Sequence, residues 1–121
     1  MAASLATGYV SRVIAALLVA LASIVVAVVA ALTAVGRLRR NSVAGIRIPS
    51  LYASEVAWRT GHRAAVTPTA AAAVICVVLA IAVLADSDFT VAGPILETAV
   101  LVIGVLAGTT LASRAARTQT R

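Results

Sequence analysis

Three long apolar segments, residues 13–35, 68–85 and 94–112, constrain the fold of this chain more than any other feature. The first two contain no charged residue, and the third contains one, Glu97. A helix needs about 20 mostly apolar residues to cross the hydrocarbon core of a bilayer. The chain is 62% hydrophobic, whereas a typical soluble domain is about 45–50% apolar. The sequence therefore predicts an all-α, integral membrane three-helix bundle that forms a single domain over residues 1–121.

The second and third segments begin with helix-start signals. Thr67-Pro68 is typical of an N-cap followed by a first helical residue, and Gly93-Pro94 of a break followed by a first helical residue. The first segment could instead be a secretory signal peptide. However, it is longer than the roughly 7–15 apolar residues of such peptides, and arginines follow it directly. This pattern favours a retained membrane anchor.

The distribution of arginines predicts how the chain is oriented. The chain has ten arginines, no lysine and four acidic residues, for a formal charge of +6. Residues 36–66 hold six of the arginines, and the tail holds Arg114, Arg117 and Arg121. Positively charged loops face the cytoplasm. We therefore expect a multi-pass protein of the cell membrane, with the N-terminus outside and both arginine-rich regions inside. Arg12, near the outer end, opposes this assignment.

The positive charge lies beside the apolar segments, which indicates its partner. This arrangement favours the anionic headgroups of the lipid bilayer over a nucleic acid, and no direct nucleic-acid contact is expected. Cys76 is the single cysteine, so it forms no internal disulfide and gives no information about the redox compartment.

Most of the chemically diverse side chains lie in residues 41–63. Gly45 and Pro49 predict an extended or turned backbone. Ser54 is a typical N-cap, and Glu55 suits the first turn of the helix that would follow it. The sequence thus predicts a short cytoplasmic interfacial helix over residues 54–65, between the first and second spans.

Glu55, Trp58, Arg59 and His62 share one face of this predicted helix, because their spacings are three, four and seven. Glu55 could pair with Arg59 one turn away. The Glu55 carboxylate could also be held by two parallel bonds from Arg47. We expect these pairs to fix residues 41–63 as a folded cap.

His62 would then donate to Asn41 or to a backbone carbonyl. The alternative is an amphipathic helix lying in the membrane interface, with Trp58 and Tyr52 at headgroup level.

Neither a metal site nor catalysis is expected. His62 has no second histidine or cysteine nearby, as a zinc site would require. Ser54, Glu55 and His62 are residue types found in hydrolases. Ser54 and His62, however, are separated by about 12 Å of helical rise, too far for a hydrogen bond. We therefore expect no enzyme activity and no cofactor.

Glu97 and two glycines stand out in the third segment. An ionisable residue inside a membrane helix is a functional candidate, but Glu97 lies one turn inside the span, where water and the helix N-terminus would stabilise a carboxylate. Gly104 and Gly108 form a G-x-x-x-G motif, which could pack helices within the chain or between chains of a homo-oligomer. The link holding Asp86 and Asp88 could be a solvated turn or could meet a cationic peptide.

The stretch RNSVAGIRIPSLYASEVAWRTGHR resembles the signature of the SdpI/YfhL family of bacterial membrane proteins. That signature contains Arg-Asn, then Gly-Ile-Arg-Thr-Pro, then Ser-Glu-Glu-x-Trp, and ends in His-Arg. This chain departs from it at Ile48 and Val56. The matching positions are Arg40, Asn41, Gly45, Ile46, Arg47, Pro49, Ser54, Glu55, Trp58, His62 and Arg63.

The resemblance implies a function. The best-known member of the family is a longer immunity protein that protects its cell from a secreted killing peptide and holds a transcriptional repressor at the membrane. By this resemblance we expect immunity, signal transduction or both, with a toxin peptide outside and a repressor inside. Two alternatives remain open: a small transporter or channel subunit that uses Glu97, and a structural lipid-binding protein.

Overall fold

The computed structural model describes residues 1–119, which form helices joined by turns and one longer connection, without strands. Three long helices dominate: α1 spans Ala2–Ala34, α3 spans Glu55–Ala85 and α4 spans Ala92–Arg117. A four-residue helix, α2, spans Pro49–Tyr52, and a 3₁₀ turn spans Ser87–Thr90. All three long helices are long and apolar enough to cross a membrane. The predicted all-α membrane bundle is confirmed, and Arg121 lies outside the described residues.

The long helices extend beyond the apolar segments predicted from the sequence. α1 has 33 residues and α3 has 31, so each is about 45–50 Å long. The hydrocarbon core is about 30 Å thick. Each helix therefore has turns outside the core: residues 2–12 of α1, and the first turns of α3, which carry Glu55, Arg59 and Arg63.

The predicted separation between the interfacial helix and the second span is wrong. Pro68 lies inside α3, and Thr67 is a helical residue rather than an N-cap. A proline inside a helix has no N–H for the carbonyl four residues earlier, here that of Ala64. The Thr69 hydroxyl donates to the Ala65 carbonyl at 2.7 Å, which adds a donor next to the missing bond. The helix predicted over 54–65 and the span predicted over 68–85 are thus one continuous helix.

Glycines allow α3 and α4 to pack closely. A Cβ atom built on Gly104 would lie 2.5 Å from the Cβ of Ala72, and one built on Gly108 would lie 3.5 Å from the Cβ of Ala65. Both glycines are buried. The G-x-x-x-G motif therefore packs helices within this chain. α3 lies between α1 and α4, which contact each other much less than they contact α3.

The link between α3 and α4 is a capped turn. The side chain of Asp86 accepts a hydrogen bond from the Asp88 N–H at 2.9 Å, and both residues are exposed. The following helix begins at Ala92, so Pro94 is its third residue rather than its first. A difference of this size is within the usual uncertainty of helix boundaries.

Candidate functional site

Residues 36–66 fold back onto the bundle, and we call them the cap. The connection between α1 and α2 comprises residues 36–48. It begins at Gly36, whose φ of +81° ends α1. Its N–H donates to the Thr33 carbonyl at 3.0 Å, and the Arg37 N–H donates to the Leu32 carbonyl at 2.9 Å. This pattern is the usual end of a helix at a glycine with positive φ.

Ser54 begins α3 as predicted. Its side chain accepts a hydrogen bond from the Ala57 N–H at 3.0 Å, and Glu55 lies in the first turn. The N-cap removes one unpaired backbone donor from the start of α3, which fixes where the helix begins within the cap.

Trp58 and His62 form the centre of the cap. The Trp58 side chain is 0% exposed and His62 is 1% exposed. Their rings contact each other with centroids 4.3 Å apart, and the edge of Tyr52 packs on Trp58 at 5.3 Å. The Trp58 indole N–H points to the Leu38 carbonyl at 3.4 Å. Trp58 is therefore not an open anchor on the surface of an amphipathic helix, because the connection covers it.

Gly45 lies directly on these two rings. Its φ is +104°, and a Cβ built on it would lie 2.7 Å from Nε2 of His62 and 2.9 Å from the Trp58 ring. A side chain here would meet both an unfavourable backbone conformation and occupied space. The glycine of the family motif thus allows the connection to contact α3.

His62 is held by two backbone groups. Nε2 accepts a hydrogen bond from the Ile46 N–H at 2.9 Å, and Nδ1 is 2.8 Å from the Trp58 carbonyl. Because Nε2 is the acceptor, Nδ1 carries the proton and donates to that carbonyl. The predicted hydrogen bond to a backbone carbonyl is present, and Asn41 is not its partner.

Asn41 instead organises a turn in the connection. Its side-chain oxygen accepts from the N–H groups of Val43 at 2.9 Å and Ala44 at 2.8 Å. Its amide donates to the Arg39 carbonyl at 2.7 Å, and the Tyr52 hydroxyl donates to the Asn41 carbonyl. An asparagine that bonds to the following backbone is a common turn element.

The predicted ion pairs of Glu55 are not formed among the described residues. Arg47 donates to the carbonyls of Ser42 and Val43 within its own turn. The Glu55 carboxylate faces the backbone N–H of Arg40 at 3.4 Å. Both predictions are wrong, because Arg47 and Glu55 each contact backbone groups of the folded connection and Arg59 lies beside Gly36.

Arg59 lies at the end of α1 rather than beside Glu55. A Cβ built on Gly36 would lie 3.0 Å from the guanidinium carbon of Arg59. The C-terminal end of a helix carries partial negative charge, so a guanidinium here is favourable. Arg63 is exposed on the next turn of α3, and the structure shows no contact that explains its place in the motif.

A small apolar core joins the cap to α4. It consists of Leu51, Ala57, Trp58, Ala65, Ala112 and Ala116, with Ile46, Ile48 and Tyr52 packed against it. Leu51 is 0% exposed, and a Cβ built on Gly61 would lie 2.7 Å from its side chain. Pro49 begins the short helix α2 that carries Leu51. The cap is therefore packed as part of the bundle.

Comparison with known proteins gives one match. The family model described as the SdpI/YfhL protein family matches residues 37–113, more than half of the chain. This chain belongs to the SdpI/YfhL protein family. No curated protein and no solved structure matches it. The matched region includes almost all of the cap, α3 and most of α4, so the family residues and the folded cap coincide.

Three contacts of this SdpI/YfhL cap were not predicted from the sequence. Leu51 fills its core, the Tyr52 hydroxyl anchors Asn41, and the Arg40 guanidinium donates to the Tyr52 carbonyl at 2.6 Å. The sequence did carry a signal for two of them: Leu51 and Tyr52 are the apolar residues between the motif proline, Pro49, and Ala53.

Glu97 occupies the opposite half of this SdpI/YfhL bundle. It is 0% exposed, and neither carboxylate oxygen has a hydrogen-bond partner within residues 1–119. The thiol of Cys76 lies 3.4 Å from its backbone carbonyl, and Ser23 is beside that thiol. The interpretation of Glu97 as a carboxylate in interfacial water is therefore wrong, because the helices enclose it.

The side chains considered for catalysis are engaged elsewhere. The Ser54 hydroxyl caps its own helix, and both His62 nitrogens contact backbone groups. Within the described part of the chain, no cluster of three histidine, cysteine or acidic residues could hold a metal.

Proposed function

We propose that this chain is a non-enzymatic membrane protein that gives immunity to a secreted peptide toxin, signals the presence of that toxin, or does both. The observation that carries the proposal is the coincidence of the family motif with an ordered cap. Motif residues that only touched lipid would not need Gly45 pressed against two buried rings. A surface that must be recognised by another protein does need a fixed shape, since ordering on binding reduces affinity.

The orientation predicted from the arginines would assign a side to each partner. With the arginine-rich cap in the cytoplasm, a repressor or other cytoplasmic partner would meet the exposed face of the cap, which includes Arg39 and Arg63. The N-terminus and the turn with Asp86 and Asp88 would face outward, where a cationic toxin peptide would arrive. In this proposal the protein itself does not contact nucleic acid.

A glycine substitution tests the proposal. Cells expressing the chain are challenged with the killing peptide against which the best-known family member protects, and survival is counted. The wild type is expected to protect. Gly45→Ala is expected to remove protection while the protein still inserts, because its Cβ would overlap His62 and Trp58.

Gly8→Ala is the matched control. A Cβ at Gly8 meets only the end of Arg12 at 3.9 Å, in open space, so protection should be unchanged. If Gly45→Ala protected as well as the wild type, the cap would not be the functional element. If the wild type failed to protect against this peptide, immunity to it would be rejected.

A specific observation supports a second candidate, a small transporter. A buried carboxylate without a partner is costly in a membrane interior, and Glu97 is such a group. Because Glu97 faces the interior of its own bundle, a proton path through one chain fits better than a ring of carboxylates in an oligomer. Proton flux into vesicles containing the purified chain, measured with a pH-sensitive dye, tests this candidate.

A further inference from the structure

A cleft opens between α1 and α4 beneath the cap. Its volume is about 500 Å³, and its walls include Val25 and Val29 of α1 and Val105 of α4, with residues 43–48 above. Val25 is 52% exposed and Val105 is 36% exposed. The cleft exists because α1 and α4 both pack on α3 but contact each other little. Its apolar walls lie in the half of the bundle nearer the cap.

A second cleft, of about 580 Å³, adjoins the first and has a different chemical character. The two share Ile48 and Thr109 in their walls. The second cleft is also lined by Ser50, Ser113, Arg114 and Arg117. The Ser50 and Ser113 hydroxyls are 3.5 Å apart. An apolar compartment thus lies beside one lined by hydroxyl and guanidinium groups.

The polar compartment is positively charged and lies at the arginine-rich end of the bundle. Arg114 and Arg117 are in the last turn of α4, at the same end of the bundle as the cap, and Arg47 is exposed at the edge of the apolar cleft. Among the described residues, no acidic side chain lines either cleft. Guanidinium groups bind phosphate with two parallel hydrogen bonds, and here they also offset the negative end of the helix dipole.

We propose that the two clefts form one binding site for an anionic phospholipid. An acyl chain would fill the apolar cleft between α1 and α4. The phosphate would lie near Arg114 and Arg47, with the headgroup beside Ser50 and Ser113. The bound lipid would bridge two helices that touch little, so its binding would stabilise the bundle. This inference depends on the membrane location and not on the immunity function or the orientation.

Native mass spectrometry of the purified full-length chain in mild detergent tests the site. Phosphatidylglycerol and phosphatidylcholine with identical acyl chains are titrated separately. The wild type is expected to retain one phosphatidylglycerol in preference to phosphatidylcholine. Arg114→Gln is expected to lower the affinity for phosphatidylglycerol about tenfold, since it removes a charge-assisted bond. Val105→Trp is expected to abolish retention by filling the apolar cleft.

Two matched variants control for general effects. Arg39→Gln removes an exposed arginine that lines neither cleft, and Val102→Trp adds the same bulk to α4 at a residue that is 50% exposed and lines neither cleft. Both should retain phosphatidylglycerol as the wild type does. If Val105→Trp failed to fold, the comparison of Arg114→Gln with Arg39→Gln would still decide whether phosphatidylglycerol binds specifically at Arg114.

Three outcomes would overturn the proposal. Equal weakening by Arg114→Gln and Arg39→Gln would indicate general attraction to the positive charge. Equal retention of the two lipids by the wild type would reject recognition of the headgroup. A wild-type dimer that became monomeric in Val105→Trp would assign the cleft to a second copy of this chain.

Discussion

Replacing Trp58 by alanine is expected to release the cap from the bundle without preventing membrane insertion. The indole is 0% exposed and contacts His62, Tyr52 and the Leu38 carbonyl. Those contacts come from both sides of the cap: Leu38 belongs to the connection, and His62 belongs to α3. Removal of the indole therefore leaves a cavity where the connection packs against α3.

The size of the effect follows from the burial of the ring. Truncation of a fully buried tryptophan to alanine costs about 3–5 kcal/mol. The loss applies to local opening of the cap, because the apolar spans remain in the bilayer. Since about 1.4 kcal/mol changes an equilibrium tenfold, the open population should rise by a factor of roughly 10² to 4 × 10³.

Limited proteolysis measures this population directly. Trypsin can cut after Arg39, Arg40 or Arg47 once the cap opens, and cleavage follows the open population when opening and closing are fast. In lipid nanodiscs, we expect Trp58→Ala to be cut roughly 10²- to 4 × 10³-fold faster than the wild type. Tyr9→Ala removes an aromatic ring that is 39% exposed on α1 and should leave the rate unchanged. A wild type cut as fast as Trp58→Ala would show that the cap is not held by its packing.

Three further results are expected. Gly104→Ala should destabilise the bundle by about 1–3 kcal/mol in detergent-induced unfolding, because its Cβ would lie 2.5 Å from that of Ala72; wild-type stability would contradict the packing described. In a background without the native cysteine, a cysteine at exposed position Ser87 should react with an impermeant thiol reagent on intact cells, and one at exposed Ser42 should not; the reverse would invert the orientation. Glu97→Gln should remove proton flux while insertion is retained, and unchanged flux would reject the transporter candidate.

Local signals in the sequence predicted local structure correctly. The three apolar segments identify the spans because the solvent around them must be apolar. Ser54 marks the start of α3 because its cap depends only on residues three positions away. The Pro68 signal was the exception, because it is also local and carries no information about the tertiary contacts that keep α3 continuous. An isolated proline favours a helix start, but here Thr69 and the packing of α4 support a continuous helix.

The contacts of the cap could not be read from the sequence, because they depend on how the connection folds back. Arg47 and Glu55 are complementary charges, yet each meets backbone groups that only the folded turn places nearby. The burial of Trp58 likewise depends on the close approach of Gly45. The inward direction of Glu97 depends on the rotation of α4, which the glycines facing α3 determine and which an apolar composition alone does not specify.

The continuity of α3 has a mechanical consequence. Because α3 continues without a break from Trp58 and His62 to the membrane-spanning turns, a change in its tilt is transmitted to the start of the helix. Ser54 lies about 27 Å along the helix axis from Ala72. At Ala72, α3 contacts Gly104 of α4. A tilt of about 10° pivoting at that contact would move Ser54 by roughly 5 Å, and helices change tilt in response to bilayer thickness and neighbouring segments. Any event that tilts α3 within the bilayer would therefore displace the start of α3 and strain the core that joins the cap to α4.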